Sequence, residues 1–427
     1  MRLRFLVPRG GRGRGLGGLA AVAVLAAVAG ALLGRGEEAR EPARPPAPTP
    51  APPKLDAPTA GPSLAIGITE FNPALVATPE TRDAPPPWTR WRDALARIRP
   101  AVYRLPIVWS AVQPRPDVPP ELQKPETGCI RGRPPCLPYA GVRDQLRALA
   151  SRQREGGWEG MLVFTDTPDW AAAPPTGCRL RAGVSPPRPD ALPAYRRLVA
   201  AVLELAAAEG ARIRYLSPWN EPNHPYFSAP QRASCVASAS SRAIAPYARL
   251  VRALRPELGP GQELVLGETA GTVERTARAT TVQEMIRGLP RAMVCGSRVW
   301  STHAYIGGAD PVAAVEAALR ARRCPHRHAV WITETGVGPA PGGFSLARGI
   351  TSPQQGCRLL HRELTRWYED PQVTLAVQYT FREDETFPTG LVTRDLTHAR
   401  PALREWQAWG ARGRPGDPPP ASTCRPG

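Results

Sequence analysis

The chain has 427 residues and a formal net charge of +18 at neutral pH. Nine basic and four acidic side chains fall within the first 62 residues, so the rest of the chain carries +13. A basic surface predicts attraction to anionic polymers, such as those of a cell envelope, but it does not specify a reaction. Residues 37–62 are rich in proline and alanine, which excludes them from a packed core because this composition favours an extended spacer.

The first 36 residues have the pattern of an export signal. Met1–Gly15 contains five arginines and no acidic residue, and Leu16–Gly34 adds 19 residues without a charge. This apolar stretch suits either a cleaved signal peptide, with Ala27–Ala29 as the cleavage site, or a retained membrane anchor. Both alternatives predict an extracellular or cell-surface protein. The Arg-Gly repeat at Arg9–Arg14 belongs to this signal, so we predict no nucleic-acid partner.

The sequence divides into four segments, which are the signal or anchor (1–36), the spacer (37–62), one folded domain (63–412) and a C-terminal tail (413–427). All eight cysteines follow the signal, and an even number in an exported chain predicts disulfide bonds. We expect Cys129 to pair with Cys136 and Cys295 with Cys324, while the spacing leaves other connectivities open.

The cysteine and histidine patterns do not indicate a metal site. No CxxC pair is present, so the usual structural zinc pattern is missing. His326 and His328 alternate just before an apolar run and have no clear further ligands, which favours the approach to a strand. We therefore predict no metal and no cofactor.

Beyond residue 62, eight β-rich apolar runs alternate with amphipathic helical patterns. The predicted strands are Leu64–Ile68, Ala101–Leu105, Gly160–Phe164, Ile213–Leu216, Glu263–Leu266, Val299–Thr302, Ala329–Thr333 and Thr374–Tyr379. The helical patterns include Trp91–Ile98, Ala140–Gln153, Ala194–Glu209, Ala243–Leu254, Pro311–Arg322, Pro353–Tyr368 and Pro401–Trp409. This alternation predicts the α/β class and a single (β/α)8 TIM barrel. A doubly wound open sheet is the alternative, but no GxGxxG or GxxxxGK motif follows an early strand.

Two glutamates follow predicted strands in settings that suit the cleavage of a sugar acetal. Glu221 lies in Trp219-Asn220-Glu221-Pro222-Asn223 after the fourth strand, and Glu334 ends the seventh. The catalytic groups of such a barrel collect at the C-terminal ends of its strands, so both acids face one mouth. A lone glutamate at a strand end is usually a solvated or salt-bridged loop residue, whereas two in matching positions favour catalysis.

These motifs resemble those of glycoside hydrolase clan A, the retaining barrel glycosidases that include cellulase-like family five and the xylosidase and iduronidase group of family thirty-nine. The resemblance covers residues 63 to 409, and its most specific part is the triplet Asn220-Glu221-Pro222. Three other positions agree, namely Arg104 at the end of the second strand and His303 with Tyr305 at the end of the sixth. The resemblance implies that Glu221 is the acid/base and Glu334 the nucleophile.

Retaining hydrolysis needs an ionised carboxylate aimed at the anomeric carbon and a second acid that protonates the leaving oxygen, about 5 to 5.5 Å away. We expect Arg104 and Tyr305 to keep Glu334 ionised by lowering its pKa. The nearby negative charge should raise the pKa of Glu221. An alternative for Arg104 is that it braces buried charge inside the barrel.

Other polar and aromatic residues at the mouth are candidates for substrate binding. Asn220 is expected to bind the sugar 2-hydroxyl, and His303 to orient the substrate or the acid/base. Many clan members carry a tryptophan at the end of the eighth strand, where this chain offers Tyr379, Phe381 or no platform. Trp170 and Trp109 are candidate stacking faces, with core packing as the alternative for each. For Trp219 and Trp331, packing is as good an interpretation as a place beside the site, and Glu268, ending the fifth strand, is a third acid considered for a sugar hydroxyl.

The sequence thus predicts an exported or membrane-anchored, monomeric hydrolase that cleaves β-glycosidic bonds of an extracellular poly- or oligosaccharide. One alternative is a transglycosidase, in which a sugar hydroxyl replaces water in the second step. Another is a non-catalytic carbohydrate-binding barrel at the cell surface. The presence of both Glu221 and Glu334 argues against the latter, because binding alone needs neither.

Overall fold

A computed structural model describes residues 54–82, 88–123, 141–178, 183–338, 350–383 and 388–425. Eight parallel strands form a closed barrel in chain order, with the last strand hydrogen-bonded to the first. The strands are β1 (Ala65–Thr69), β2 (Val102–Val108), β3 (Glu159–Thr165), β4 (Ile213–Ser217), β5 (Glu263–Thr269), β6 (Val299–His303), β7 (Ala329–Thr335) and β8 (Val373–Tyr379). The predicted barrel is therefore confirmed. The predicted signal or anchor and most of the spacer lie outside the described residues.

The helices surround the barrel and connect its strands. In the described part of the chain they are α1 (Pro73–Val76), α2 (Trp88–Ala96), α3 (Trp109–Val112), α4 (Val142–Glu155), α5 (Leu192–Ala208), α6 (Ile244–Leu254), α7 (Val282–Gly288), α8 (Arg291–Val294), α9 (Val312–Ala321), α10 (Pro353–Glu369) and α11 (Ala402–Gly410). All seven helical patterns named from the sequence correspond to one of these helices. The helix after β5 was not among them, although Thr281 and Glu284 form a capping box that starts α7.

Two hydrophobic clusters form the core of the described barrel. The larger cluster fills the space between the strands and the surrounding helices. The smaller lies inside the barrel and takes at least one residue from every strand, including Val102, Tyr215 and Trp331. Leu55 joins this inner cluster, and its carbonyl accepts hydrogen bonds from Trp331 Nε1 at 3.0 Å and Thr374 Oγ1 at 2.6 Å. Leu55 thus closes the base of the barrel, and the expectation that residues 37–62 lie outside a packed core is wrong at this residue.

Three disulfides tie the outer elements together. Cys295 and Cys324 form one of the two predicted pairs, and the structure adds Cys178–Cys235 and Cys357–Cys424. The other predicted pair, Cys129 with Cys136, lies outside the described residues. Disulfides persist in oxidising compartments, so three of them are compatible with an extracellular location. Within the described ranges, no helix is long and apolar enough to cross a membrane.

Candidate active site

The C-terminal ends of the strands bring six of the predicted site residues into one hydrogen-bonded group. Arg104 Nη2 lies 2.7 Å from Asn220 Oδ1 and 2.9 Å from Glu334 Oε1. The Tyr305 hydroxyl donates to Glu334 Oε2 at 2.6 Å, and His303 Nδ1 lies 2.8 Å from Glu221 Oε1. The six residues come from four strands and the segments after them: Arg104 on β2, Asn220 and Glu221 after β4, His303 ending β6, Tyr305 after β6 and Glu334 on β7. The predicted assembly of these side chains is therefore present.

Both oxygens of Glu334 have a polar partner inside the barrel mouth. Arg104 forms an ion pair with one oxygen and the Tyr305 hydroxyl donates a hydrogen bond to the other, as expected. The expected direction of the pKa shift is nevertheless wrong. Burial raises the pKa of Glu334 above its usual range, and the charges of His303 and Arg104 and the Tyr305 hydrogen bond only partly oppose this. Removing the carboxylate from water outweighs its polar partners.

Glu221 is held by its backbone as well as its side chain. Its φ is +41°, in the left-handed region, and its N–H donates to the carbonyl of Glu268 at 2.7 Å. Burial raises the pKa of Glu221, but the hydrogen bond and charge of His303 outweigh burial and lower the pKa below its usual range. The sequence expectation of a raised pKa is therefore wrong, because it did not include a cationic partner in contact with this acid.

His303 is surrounded by carboxylates. Its Nδ1 faces Glu221 and lies 3.4 Å from Glu334 Oε2, and its Nε2 lies 3.4 Å from Glu268 Oε2. Burial lowers the pKa of His303, but the charge of Glu334 and the hydrogen bonds to Glu221 and Glu268 raise it to about 10. A proton therefore stays in the His303–Glu221 pair at neutral pH. His303 was expected to orient either the substrate or the acid/base candidate, and in the structure it contacts the latter, Glu221.

The amide of Asn220 is oriented by Arg104. Its Oδ1 accepts from the guanidinium, which leaves the Nδ2 end of the amide as a donor. Its backbone N–H donates to the Phe164 carbonyl on β3 at 2.9 Å, so the residue is anchored to the neighbouring strand. This arrangement suits donation to a sugar hydroxyl.

Two side chains of the Trp219–Asn223 segment hold it in place. Asn223 bridges to the segment after β5, because it donates to the Ala270 and Thr280 carbonyls and accepts from the Ala270 N–H. The buried Trp219 indole donates to the Phe227 carbonyl at 3.0 Å. Trp219 thus packs beneath the site and presents no face to a ligand.

The aromatic candidates differ in their exposure. Trp109 and Phe381 are fully buried, so the interpretation of Trp109 as a sugar-stacking face is wrong and Phe381 is excluded as the platform after β8. Trp331 belongs to the inner cluster. Trp170 is half-buried, meets Trp109 edge-on at 5.6 Å, and donates to the Gln113 carbonyl. Tyr379 is 8% exposed at the end of β8. Trp170 and Tyr379 stay candidates for substrate binding.

The separation of the two candidate carboxylates is compatible with a retaining mechanism. One oxygen each of Glu221 and Glu334 and one ring nitrogen of His303 all lie within 4.8 Å of one another. Two carboxylates and an imidazole are also donors that a metal ion accepts. However, one oxygen of Glu334 is already paired with Arg104 and the other accepts from Tyr305, and the Arg104 guanidinium would repel a cation there. The donor set therefore fits a proton-transfer site better than a metal site.

Two residues, Glu268 and His224, make contacts with this group that were not predicted from the sequence. Glu268 was considered for a sugar hydroxyl, but it is fully buried, with Oε2 at 2.6 Å from Arg104 Nη2. Because Glu268 lies beneath the site with no exposed surface, the interpretation that it binds a sugar hydroxyl is wrong. His224 Nδ1 lies 3.7 Å from Glu221 Oε2, and its position three residues after Glu221 was the available signal.

No protein-family model and no curated protein matches the sequence. Solved structures nevertheless share its fold. A GH39 β-xylosidase from Caulobacter crescentus is 18% identical with a TM-score of 0.53, covering 84% of this chain and 74% of that one. A GH53 catalytic domain from Ignisphaera aggregans is 15% identical with a TM-score of 0.51, covering 81% and 95%. A GH30 endoxylanase from Clostridium papyrosolvens is 10% identical with a TM-score of 0.51, covering 85% and 75%. The chain thus has the barrel fold of these glycoside hydrolases.

Proposed function

We propose that this protein is a retaining glycoside hydrolase that cleaves β-glycosidic bonds of an extracellular poly- or oligosaccharide. The observation that carries the proposal is the pair of carboxylates at the barrel mouth, with oxygens within 4.8 Å. Arg104 forms an ion pair with the Glu334 carboxylate, Tyr305 donates a hydrogen bond to it, and His303 contacts the Glu221 carboxylate. Two adjacent carboxyl groups with different partners are what double displacement at a sugar requires.

In the first step, an oxygen of Glu334 attacks the anomeric carbon as the bond to the leaving oxygen breaks. The proton of the Glu221–His303 pair moves to that oxygen, delivered by Glu221. Glu334 becomes a neutral ester, which removes the charge that most strongly raises the pKa of His303. Nucleophilic attack and proton release therefore support each other.

In the second step, water attacks the anomeric carbon from the face that the leaving group vacated. Glu221 takes a proton from this water, and the ester bond to Glu334 breaks to restore the carboxylate. The sugar keeps its β configuration because its anomeric centre is inverted twice. Asn220 contributes a hydrogen bond to the 2-hydroxyl that strengthens as positive charge develops on the ring.

The location follows from the same proposal. We infer export through the N-terminal signal, and the three disulfides support an oxidising environment outside the cytoplasm. A polymeric substrate in the envelope or surroundings would suit an enzyme with +13 formal charge after residue 62, because many such polymers are anionic.

The direct test is sugar release from aryl β-glycosides and from plant and bacterial wall polysaccharides. We expect release by the wild type, with the β anomer as first product in proton NMR of the reaction. Glu334→Gln should abolish it, whereas Glu263→Gln, a change on β5 at the closed end of the barrel, should not. Release of the α anomer first, or equal activity of both variants, would contradict the mechanism. Transfer to an added sugar in place of hydrolysis would favour the transglycosidase alternative.

A further inference from the structure

Strand β5 ends irregularly beside the candidate site. Its register with β6 shifts between Leu266 and Thr269. Within this shift, Gly267 has a φ of +104° and Glu268 a φ of +49°. A Cβ atom on Gly267 would lie 2.1 Å from the Ser301 carbonyl oxygen, so only glycine fits there.

This irregularity determines where Glu268 points. Val265 belongs to the cluster inside the barrel and Leu266 to the cluster outside it. Regular alternation would therefore turn Glu268 outward, since side chains of a strand face opposite sides in turn. A bulge re-aims the side chain instead, and Glu268 contacts Arg104 inside the barrel.

The unusual backbone is stabilised by neighbouring side chains. The Gly267 N–H donates to the Tyr247 hydroxyl at 2.8 Å, and the Glu268 N–H donates to Ser301 Oγ at 2.7 Å. A left-handed φ at glutamate costs free energy, and such conformations persist where the surroundings fix them and cluster at functional sites.

Glu268 is linked to both candidate catalytic acids. Its Oε2 accepts from Arg104 Nε at 3.0 Å and Nη2 at 2.6 Å, and the same Nη2 contacts Glu334. That oxygen also lies 3.4 Å from Nε2 of His303, whose other nitrogen contacts Glu221. In addition, the Glu268 carbonyl accepts the Glu221 N–H.

We propose that Glu268 is a positioning residue that orients both catalytic carboxylates and fixes a proton on Nε2 of His303. This proposal rests on the proposed function. Because Glu268 is fully buried, it acts through Arg104 and His303 without touching the sugar. An ionised oxygen facing Nε2 keeps that nitrogen protonated, so Nδ1 is left to exchange the catalytic proton with Glu221.

The charges around Glu268 favour its ionised form. Burial raises the pKa of Glu268, but the charge of Arg104 and the hydrogen bond and charge of His303 outweigh burial and lower it to about 2, with a further contribution from the Thr333 hydroxyl. Among the described residues, Tyr247 also faces Glu268, and burial raises the pKa of its hydroxyl. Glu268 therefore remains a carboxylate across the working pH range.

The test compares Glu268→Gln with Glu263→Gln, a glutamate at the other end of the same strand. Removing the negative charge disfavours imidazolium and lowers the pKa of His303. The same change leaves more of the Arg104 charge for Glu334 and lowers its pKa as well. We expect at least a tenfold loss of kcat with KM nearly unchanged, and both limbs of the kcat/KM pH profile displaced by about one unit toward acid. Glu263→Gln should keep the wild-type profile.

The conservative variant and one further measurement complete the test. Glu268→Asp keeps the negative charge. The two limbs of its kcat/KM pH profile should therefore be displaced less from the wild-type positions than the limbs of the Glu268→Gln profile. If the wild type is active and the Glu268→Gln variant has the wild-type pH profile of kcat/KM, the positioning role of Glu268 is wrong. If the wild type itself is inactive, the proposed function is wrong. If Glu268→Gln does not fold, nitrogen-15 NMR of histidine-labelled wild type above the pKa of His303 decides: a neutral imidazole with its proton on Nε2 supports the proposal, and one with its proton on Nδ1 overturns it.

Discussion

The Nδ1 atom of His303 lies 2.8 Å from Oε1 of Glu221, and both side chains are largely removed from solvent, at 1% and 13% exposure. A hydrogen bond of this length between an imidazole and a carboxyl group can hold the catalytic proton on either partner without changing the charge of the pair. The pair therefore acts as one acid.

This relationship predicts the pH dependence of catalysis. Activity should fall with decreasing pH as Glu334 takes up a proton, and burial, which raises the pKa of Glu334, places this limb above the usual carboxylate range. Activity should fall at alkaline pH as the pair loses its proton, with His303 at a pKa of about 10. A kcat/KM profile from pH 4 to 11 tests both limbs. An alkaline limb below pH 7 would contradict the role of His303.

The hydroxyl of Tyr305 should matter for the rate. Tyr305→Phe removes a hydrogen bond to an ionised oxygen of Glu334, which is worth about 1.5–3 kcal/mol, or roughly 10- to 100-fold in kcat. It should also raise the pKa of Glu334 further and move the acid limb to higher pH. Tyr368→Phe is the matched control, since its hydroxyl contacts only the Gly416 carbonyl among the described residues. Equal kinetics in the two variants would rule out this contribution.

The contact between Asn220 and the sugar can be tested with a modified substrate. Asn220→Ala should lower kcat/KM about 100-fold for a substrate with a 2-hydroxyl, because this contact strengthens in the transition state. The same substitution should have little effect on the 2-deoxy analogue. A double-mutant cycle that combines Asn220→Ala with removal of the substrate 2-hydroxyl gives the coupling energy between the two groups, which we expect at about 2 kcal/mol or more. Independent effects would mean that Asn220 does not bind that hydroxyl.

The disulfide Cys178–Cys235 joins the loop after β3 to the loop that carries Glu221, across 57 residues of chain. Replacing both cysteines by serine should lower the free energy of unfolding by about 2–4 kcal/mol and also raise KM, since both loops border the mouth. The matched control is the double serine variant of Cys295 and Cys324, which lie beyond α8 and α9. This control variant should lose stability without a change in KM. If the two double variants have a similar KM, the Cys178–Cys235 disulfide does not shape the cleft.

Much of the fold was predictable because short runs rich in apolar residues recur eight times beyond residue 62 and alternate with amphipathic helical patterns. The seven-residue helix α7 was missed because two turns are too short for a clear helical period, although its capping box is visible in the sequence. The pair Cys295–Cys324 was predictable because it brackets one strand-helix unit. The other two described pairs join distant segments, which only the fold brings together.

The candidate site was predictable as far as strand order determines it. Arg104, His303 and Glu334 lie on different strands of one barrel and face its interior, so their side chains meet. The inward direction of Glu268 was not predictable, because the bulge in β5 reverses the alternation on which such an inference depends. The pKa directions of the two acids depend on burial and on contacts of a few ångströms, and neither can be obtained from spacing along the chain.

The assignment of Glu334 as nucleophile is tested most directly by trapping the glycosyl intermediate. A 2-deoxy-2-fluoro glycoside of the preferred sugar should inactivate the protein and add one sugar mass, and peptide mapping should place that mass on Glu334. Prior Glu334→Gln substitution should prevent labelling. A label on another residue of the active wild type, or continued turnover of the fluorosugar without any covalent adduct, would contradict the double-displacement mechanism proposed for this site.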